Sequence, residues 1–352
     1  MAEKLYTEAR RKESMAILSV LDLSPINEGG TVAEALNNSR LLAQHAETLG
    51  YHRYWVAEHH NMKGIASAAT SILISHIASG TQKIRVGSGG IMLPNHAPLM
   101  VAEQFGTLSA LFPGRIDLGL GRAPGTDGLT AHALRRTLNS DPNGFPKDVL
   151  ELQGYLAAPK EDQKVTAVPG FNSKVPLYIL GSSLFGAQLA AILGLPFAFA
   201  SHFAPAAMMQ AIGIYREEFC PSEQLDAPHL ILGFNACAAK TESEAIYHKS
   251  SGLRALLNLR QGNPGPLPRP VENFDESLTD SERQIISQST SASAVGNKSQ
   301  IQSALKNFLD LTDADELIIT SQIFDHQARC DSYSIVWEAL NEIQDDLAFS
   351  AG

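Results

Sequence analysis

Residues 16–50 read AILSVLDLSPINEGGTVAEALNNSRLLAQHAETLG, and this stretch predicts one strand followed by one helix. The apolar run from Ala16 to Leu21 suits a short buried strand. Thr31 and Glu34 have the spacing of a capping box, in which the hydroxyl accepts a hydrogen bond from the Glu34 amide while the carboxylate reaches back. Apolar residues then recur at steps of three and four, and Gly50 supplies a left-handed stop.

The same strand-and-helix unit repeats along the chain. Short apolar runs predict seven further strands, at 53–57, 84–88, 116–120, 177–180, 197–200, 230–236 and 317–320. Helical patterns follow at 65–79, 97–111, 147–156, 184–193, 206–219 and 327–343, and a second capping box at 241–244 opens another. Eight alternating units favour an α/β protein whose parallel sheet closes into a (β/α)₈ TIM barrel over an open doubly wound sheet.

We predict one barrel domain, at 15–352, after a polar leader. The leader, residues 1–14, has no apolar pattern, so we expect it to be disordered. Residues 258–295 are rich in Gly, Pro, Ser and Thr and are too long for a plain connector. We therefore expect an insertion there that forms a mobile lid on the seventh βα connection, and a smaller insertion at 157–176.

Composition excludes several classes of partner. The formal net charge is −10, so the chain has no surplus of cations for a nucleic acid or an anionic membrane. No apolar run approaches the roughly 18 to 20 residues of a membrane helix, and the N-terminus lacks a signal-peptide core, so we expect a cytoplasmic protein. Three cysteines without CxxC spacing argue against disulfides and a zinc knuckle.

The residues after the second strand include a carboxylate and two imidazoles, Glu58, His59 and His60. Neighbouring residues on an extended chain point to opposite faces, so His59 and His60 do not bind one metal ion together, and we predict no metal site. His59 shares a face with the small Ala57, which leaves room for a ligand. Its imidazole can exchange a proton near neutral pH.

The third and fourth strands end in glycines. Gly89 and Gly90 allow the backbone to approach a flat ligand closely, although a loose turn is the alternative. The run from Gly119 to Arg122 differs from a dinucleotide fingerprint because no helix starts at the required point. The guanidinium of Arg122 can bind a phosphate through two parallel hydrogen bonds, and a solvated side chain is the alternative.

The fifth and sixth strands end in further polar residues. Ser182 and Ser183 lead directly into a helix, whose free amides and positive dipole end suit a phosphate, and an N-cap serine is compatible with the same position. His202 and Phe203 follow the sixth strand and, with Glu58, are candidates for lining a substrate pocket, although a packing role is equally compatible. Together these strand ends suit a phosphorylated planar cofactor.

Three motifs in order resemble one known family. The runs Trp55 to Asn61, Gly87 to Pro94 and Phe112 to Arg122 are similar to those of the bacterial luciferase-like flavin monooxygenase family, and the resemblance covers about residues 16–343. It implies a TIM barrel that binds reduced FMN (FMNH₂), supplied by a separate NAD(P)H-dependent flavin reductase. It also implies an oxidoreductase that acts on paired donors, incorporating O₂ into a small organic substrate.

The resemblance assigns roles to individual residues. His59 matches the family's catalytic histidine, which assists the oxygen chemistry of the flavin. Gly89 and Gly90 match a pair joined by a non-prolyl cis peptide bond beneath the isoalloxazine. Arg122 and Ser182 match residues on the FMN phosphate.

Two positions depart from the pattern of luciferase. Gly121 stands where luciferase has a reactive cysteine, so we expect no light emission. Phe185 stands where luciferase has a second hydroxyl on the phosphate, so Ser183 or backbone amides must substitute.

The resemblance also implies a homodimer, formed through the helices after strands two and three. The small residues of 64–71 suit close helix packing, with Glu103 and Gln104 near the contact. Three alternatives remain open: an F420-dependent oxidoreductase that transfers hydride without oxygen, a non-catalytic flavin-binding barrel, and a sugar-phosphate isomerase with Glu58 as its base. The sequence does not select a substrate.

Overall fold

The structure is a computed structural model that describes residues 16–122, 128–134 and 144–351, so the expected leader lies outside the described residues. Its strands are β1 (Ile17–Asp22), β2 (Arg53–Val56), β3 (Arg85–Met92), β4 (Ile116–Gly121), β5 (Leu177–Gly181), β6 (Phe197–Phe199), β7 (Leu230–Ala238), β8 (Ser293–Gly296) and β9 (Glu316–Thr320). Strands β1 to β7 pair in parallel in chain order, and β9 joins β7 to β1. This closed ring of eight strands confirms the predicted barrel.

Helices cover the outside of the barrel. Those within the described residues are α1 (Val32–Leu49), α2 (Thr70–Ser79), α3 (Pro98–Leu111), α4 (Gly128–Leu134), α5 (Phe145–Leu156), α6 (Leu184–Leu193), α7 (Met208–Glu217), α8 (Glu242–Arg260), α9 (Asp280–Ser289), α10 (Lys298–Thr312) and α11 (His326–Ala351). The capping box of Thr31 and Glu34 forms at the start of α1, and Gly50 ends this helix with φ at 97°. None of these helices is both long and apolar enough to cross a membrane.

The second helix starts later than the sequence predicts. Residues 64–69 are a loop, and α2 begins at Thr70 instead of Ile65. The amide of Ile26 donates to the carbonyl of Gly64 at 2.9 Å, and a Cβ on Gly64 would collide with the carbonyl of Gly265. The small residues here therefore allow loops at the barrel mouth to approach closely. Only Thr70 and Ser71 of the stretch 64–71 belong to the helix, and their packing in a dimer stays a prediction.

The expected lid contains more regular structure than predicted. Residues 258–295 lie between β7 and β9, as predicted, but they include the end of α8, all of α9 and most of β8. Strand β8 pairs with the end of β7 outside the barrel. The amide of Leu267 donates to the carbonyl of Ile26 at 2.8 Å, which attaches the segment to the loop after β1. Mobility of this segment stays a prediction.

Charged side chains fill the barrel interior at its N-terminal end. Arg53, the first residue of β2, donates to Glu316 on β9 at 2.8 Å and to Asp117 on β4 at 2.8 Å. Asp117 also accepts from Arg85, and Glu316 lies 3.1 Å from the Nε2 atom of His229. These five residues, the N-terminal ion network, surround the three buried charged groups Arg53, Asp117 and Glu316.

Candidate active site

His59 follows β2 at the C-terminal end of the barrel. Trp55 and Ala57 belong to the apolar cluster inside the barrel, β2 ends at Val56, and His59 lies three residues beyond that end. The ring is half-buried, and its Nδ1 atom is buried without a hydrogen-bond partner among the described residues. Burial lowers the pKa of His59, and the negative charge of Glu58 only partly opposes this effect. An uncharged imidazole at neutral pH follows.

Glu58 faces a different set of partners. Its buried carboxylate accepts hydrogen bonds from the Nε2 atoms of His60 (2.7 Å) and His96 (2.8 Å) and from the Met92 amide (3.0 Å). Burial alone would raise the pKa of Glu58, but these hydrogen bonds hold it below its ordinary value. An ionised Glu58 thus connects the loop after β2 with the end of β3. His96 was missed in the sequence because its contact with Glu58 depends on barrel closure.

The same three side chains offer donor atoms of the types that bind metals. The donor atoms of Glu58, His60 and His96 all lie within 4.8 Å of one another. The hydrogen bonds to the carboxylate account for their convergence without an ion. The absence of a metal site stays a prediction.

A second imidazole lies on the opposite side of the barrel mouth. His202 follows β6, and its ring packs on Gly233 of β7, where a Cβ would collide with the Nδ1 atom. No described residue is a hydrogen-bond partner of this buried Nδ1 atom. Burial lowers the pKa of His202 to about 4, and the charge of a protonated His59 contributes in the same direction. His202 is therefore uncharged at neutral pH.

Phe203 contacts the end of α8. Its side chain is 48% exposed and lies under the guanidinium of Arg260, whose carbon is 5.5 Å from the ring centroid. Because Arg260 is the last residue of α8, Phe203 connects the end of β6 with the start of the expected lid.

The peptide bond between Gly89 and Gly90 is cis, as the family resemblance implies. A Cβ on Gly89 would lie 2.7 Å from Cδ1 of Leu21, and a Cβ on Gly90 would lie 2.8 Å from the carbonyl oxygen of Gly119. Packing within the barrel wall thus requires both glycines, whether or not a ligand lies over them. Their role towards a flavin stays a prediction.

The ends of β4 and β5 bring a cation and a helix N-terminus together. Arg122 is exposed, and its guanidinium carbon lies 4.3 Å from the ring centroid of Phe185 in the first turn of α6. Ser183 is the N-cap residue of α6, but its side chain makes no capping hydrogen bond, and Ser182 before it is exposed. No ion pair to Arg122 is formed by the described residues. Phe185, a departure from the luciferase pattern, here supports the arginine.

This arrangement has the chemistry of an anion site. Free amides at a helix N-terminus and a guanidinium are donors that suit a phosphate. The predicted site residues thus form two groups at the C-terminal end of the barrel, the imidazoles inside the mouth and the anion site on its rim. Residues 123–127, which follow Arg122, lie outside the described residues.

Known proteins similar to this chain share nearly its whole length. Residues 17–263 match the family model described as luciferase-like monooxygenase. The chain is 50% identical over 325 residues to a luciferase-like monooxygenase of Escherichia coli K12, which covers 92% of this chain and 97% of the relative. It is 33% identical over 333 residues to N-acetyl-S-alkylcysteine monooxygenase of Bacillus subtilis, with 93% and 98% covered.

Solved structures have the same fold. The crystal structure of apo-MsnO8 superposes with a TM-score of 0.82 at 34% identity, covering 93% of this chain and 98% of that one. Two structures at lower identity share the fold alone. The oxygenating constituent of 3,6-diketocamphane monooxygenase from Pseudomonas putida, in complex with FMN, has a TM-score of 0.68 at 15% identity, with 93% and 98% covered. The F420-dependent tetrahydromethanopterin reductase of Methanopyrus kandleri has a TM-score of 0.61 at 14% identity, with 93% and 97% covered.

Proposed function

The chain belongs to the luciferase-like monooxygenase family, and from this premise we propose that it uses reduced FMN and O₂ to oxidise a small organic substrate. Reduced FMN would supply two electrons, so that one oxygen atom enters the substrate and the other leaves as water. The observation that carries the proposal is the anion site of Arg122 and α6, whose N-cap Ser183 makes no side-chain hydrogen bond. It lies at the same barrel end as two imidazoles whose buried Nδ1 atoms have no partner among the described residues.

The anion site would hold the FMN phosphate. Arg122 can donate two parallel hydrogen bonds to phosphate oxygens, and stacking on Phe185 fixes the plane of its guanidinium. The first amides of α6 lie in the same turn as Phe185, Ser183 makes no capping hydrogen bond, and Ser182 is exposed. This donor set fits a phosphate dianion better than a neutral group.

The imidazoles would act at the reacting end of the site. Burial keeps the pKa of His59 below 6.5, so at neutral pH its ring can both accept and donate a hydrogen bond and can take up a proton during the reaction. Gly89 and Gly90 would lie beside the flavin ring. The segment 258–295, attached at Leu267 to the loop after β1, would exclude water from the barrel mouth.

Two further partners belong to this proposal. A separate NAD(P)H-dependent flavin reductase would supply reduced FMN, as the family resemblance implies. Because one relative is named N-acetyl-S-alkylcysteine monooxygenase, we propose that small thioethers are the first substrates to test.

A homodimer is part of the proposal. Ile72 on α2 and Leu111 on α3 are 72% and 61% exposed, and both line an open groove between these helices. Gln104 lines the same groove. A second copy of the chain would cover these apolar side chains, and light scattering that finds a monomer at all concentrations would reject the dimer.

F420-dependent hydride transfer is the second candidate, because F420-dependent enzymes share this barrel at low identity. Such an enzyme would bind F420 and would not need oxygen. A barrel that retains FMN without turnover is a third outcome of the same experiment.

The deciding experiment is an anaerobic titration of the protein with FMNH₂ and, separately, with reduced F420, followed by rapid mixing with oxygenated buffer. We expect binding of FMNH₂ and an absorption transient that decays more slowly than free reduced flavin reoxidises. Thioether oxidation measured with added flavin reductase then tests turnover. Binding of F420 alone would replace the proposal with hydride transfer, and binding of neither would remove the cofactor assignment.

A further inference from the structure

Strand β3 is held by a carboxylate at each of its two ends. Before the strand, the carboxylate of Glu47 accepts hydrogen bonds from the amides of residues 82–84 at 2.5 to 2.9 Å. At the C-terminal end, Oε2 of Glu58 accepts a hydrogen bond from the Met92 amide at 3.0 Å. The two carboxylates differ in their surroundings, because only Glu58 is the chain neighbour of His59.

The C-terminal end of β3 needs such a contact because its pairing is interrupted. The parallel ladder between β2 and β3 ends at the pair Val56 and Ser88. The register of β3 against β4 then shifts across the glycine pair 89–90. Met92 lies beyond this interruption, and its amide donates to Glu58 in the loop after β2. This hydrogen bond, the Glu58 clamp, therefore ties β3 to that loop where the ladder has stopped.

Both oxygens of the Glu58 carboxylate are engaged. Oε1 lies 2.7 Å from Nε2 of His60 and 2.8 Å from Nε2 of His96, and Oε2 accepts from the Met92 amide. Glu58 is only 1% exposed, so little water competes for these oxygens. A catalytic base needs a lone pair that faces its substrate, whereas this carboxylate faces three donors of its own chain. The geometry thus favours a holding role for Glu58.

We propose that Glu58 is a positioning residue that sets the place of the His59 imidazole relative to the glycine pair 89–90. Because Glu58 and His59 are adjacent, the bond to Met92 joins the backbone of His59 and the end of β3 into one unit. A catalytic group must be held accurately, since a misplacement of about 1 Å can cost about 10²-fold in rate. The effect on turnover rests on the proposed function, whereas the Glu58 clamp does not.

The Glu58 clamp is tested by amide hydrogen exchange of the ligand-free full chain, resolved by residue with NMR. Glu58→Leu removes the acceptor, and we expect the Met92 amide to exchange at least about tenfold faster. The internal reference is Val86, whose amide donates to the carbonyl of Arg115 at 2.7 Å and should keep its rate. Unchanged exchange at Met92, or an equal increase at Met92 and Val86, would overturn the clamp. If Glu58→Leu does not fold, Glu58→Ala decides by the same comparison.

The matched control is Glu47→Leu, which removes the carboxylate at the other end of the same strand. It should speed exchange at residues 82–84 and lower the free energy of unfolding, but kcat should stay within about twofold of the native value. Glu58→Leu should lower kcat by about tenfold or more. Glu58→Gln keeps one acceptor oxygen and should retain more activity than Glu58→Leu. Equal kcat in Glu58→Leu and Glu47→Leu would overturn the positioning role.

A double-mutant cycle with His59→Asn separates positioning from a general loss of structure. If Glu58 acts by placing the imidazole of His59, Glu58→Leu should lower kcat by less than about twofold once that imidazole is absent. A merely structural role would lower kcat by the same factor in both backgrounds, because loss of folded enzyme does not depend on His59. Equal factors in the two backgrounds would therefore overturn the proposal.

The measurements separate the possible failures. If the native chain binds neither FMNH₂ nor F420, the proposed function fails and the positioning role fails with it, but amide exchange still decides whether Glu58 clamps β3. If the native enzyme turns over and Glu58→Leu costs the same factor with and without His59, the proposed function stands and the positioning role fails.

Discussion

At the N-terminal end of the barrel the buried charges are paired with one another, whereas at the C-terminal end buried imidazole nitrogens have no partner among the described residues. Arg53 reaches both Asp117 and Glu316 within hydrogen-bond distance. His59 and His202, at the other end of the same barrel, each retain an unpartnered Nδ1 atom. Both ends contain buried polar groups that are paired, such as Glu58 at the C-terminal end, but the two imidazole nitrogens without a described partner lie at the C-terminal end.

This difference separates a stabilising end from a ligand-binding end. In barrels of this class the C-terminal face carries the active site and the N-terminal face contributes stability. Substitutions at the N-terminal ion network should therefore change the free energy of unfolding. Substitutions at the imidazoles and the anion site should change binding or turnover and leave stability nearly intact.

The largest effect is expected from Arg53→Met. Removing the guanidinium leaves Asp117 and Glu316 buried with fewer partners, which should cost about 3–5 kcal/mol of unfolding free energy. Denaturant unfolding measures this loss. The control is Lys306→Met, because Lys306 pairs with Asp310 on the surface at 2.9 Å and should contribute less than about 1 kcal/mol. Equal losses in the two variants would contradict the difference between buried and exposed pairs.

Acid should lower the stability that the N-terminal end of the barrel provides. Burial alone would raise the pKa of Glu316, but the charge of Arg53 and the hydrogen bond from His229 hold it at about 2, below its ordinary value of 4.5. The folded state therefore binds fewer protons than the unfolded state in this range. Stability is fully present above pH 4.5 and should fall as the pH decreases towards 2. Denaturant unfolding between pH 7 and pH 3 measures this loss, and the free energy of unfolding should depend less on pH in Glu316→Gln than in the native chain. The same pH dependence in both proteins would contradict the assignment.

The sequence predicts the repeated strands and the strand ends of the site, because both depend on local apolar runs. It misses α9, whose ten residues contain only the apolar pair Ile285 and Ile286. It also misses α10, although Ile301, Leu305 and Phe308 have helical spacing and are buried.

The site is predictable residue by residue but not pair by pair. Strand alternation predicts a His59 that faces the barrel interior without any tertiary information. The contact of Glu58 with His96 and the packing of His202 on Gly233 join distant parts of the chain. They exist only once the barrel has closed, and no local pattern encodes them.

His59→Asn should have the next largest effect, and this effect should be on kcat and not on the free energy of unfolding. Removing the imidazole removes general acid–base help worth about 10²-fold in kcat. The unfolding free energy should change little, because the buried Nδ1 atom has no partner to lose among the described residues. Turnover with flavin reductase and denaturant unfolding on the same preparation measure both quantities. A large loss of stability would mean that His59 is a structural residue like those of the N-terminal ion network.

Arg122→Ala should weaken cofactor binding. Loss of a charge-assisted contact to the phosphate should cost about 1.5–3 kcal/mol of binding free energy. Phe185→Leu keeps the guanidinium but removes the aromatic ring on which it stacks, and should cost about 0.5–1 kcal/mol of cofactor binding free energy. The control is Arg216→Ala, because Arg216 pairs with Asp313 ahead of β9, at the other end of the barrel. Unchanged affinity in Arg122→Ala, measured by anaerobic titration, would mean that the phosphate lies elsewhere.

The smallest expected effect is a difference in stability between variants at two helix N-caps. The Thr31 hydroxyl accepts from the Glu34 amide at 3.2 Å, whereas the Ser183 side chain makes no such bond at the start of α6. Thr31→Ala should therefore lower the unfolding free energy by about 1 kcal/mol, and Ser183→Ala should lower it by less than about 0.5 kcal/mol. Ser183→Ala should instead weaken cofactor binding by about 0.5–1.5 kcal/mol, the contribution of one hydrogen bond. If both variants lost the same stability, Ser183 would cap α6 in solution, and the helix amides would not be free for a phosphate.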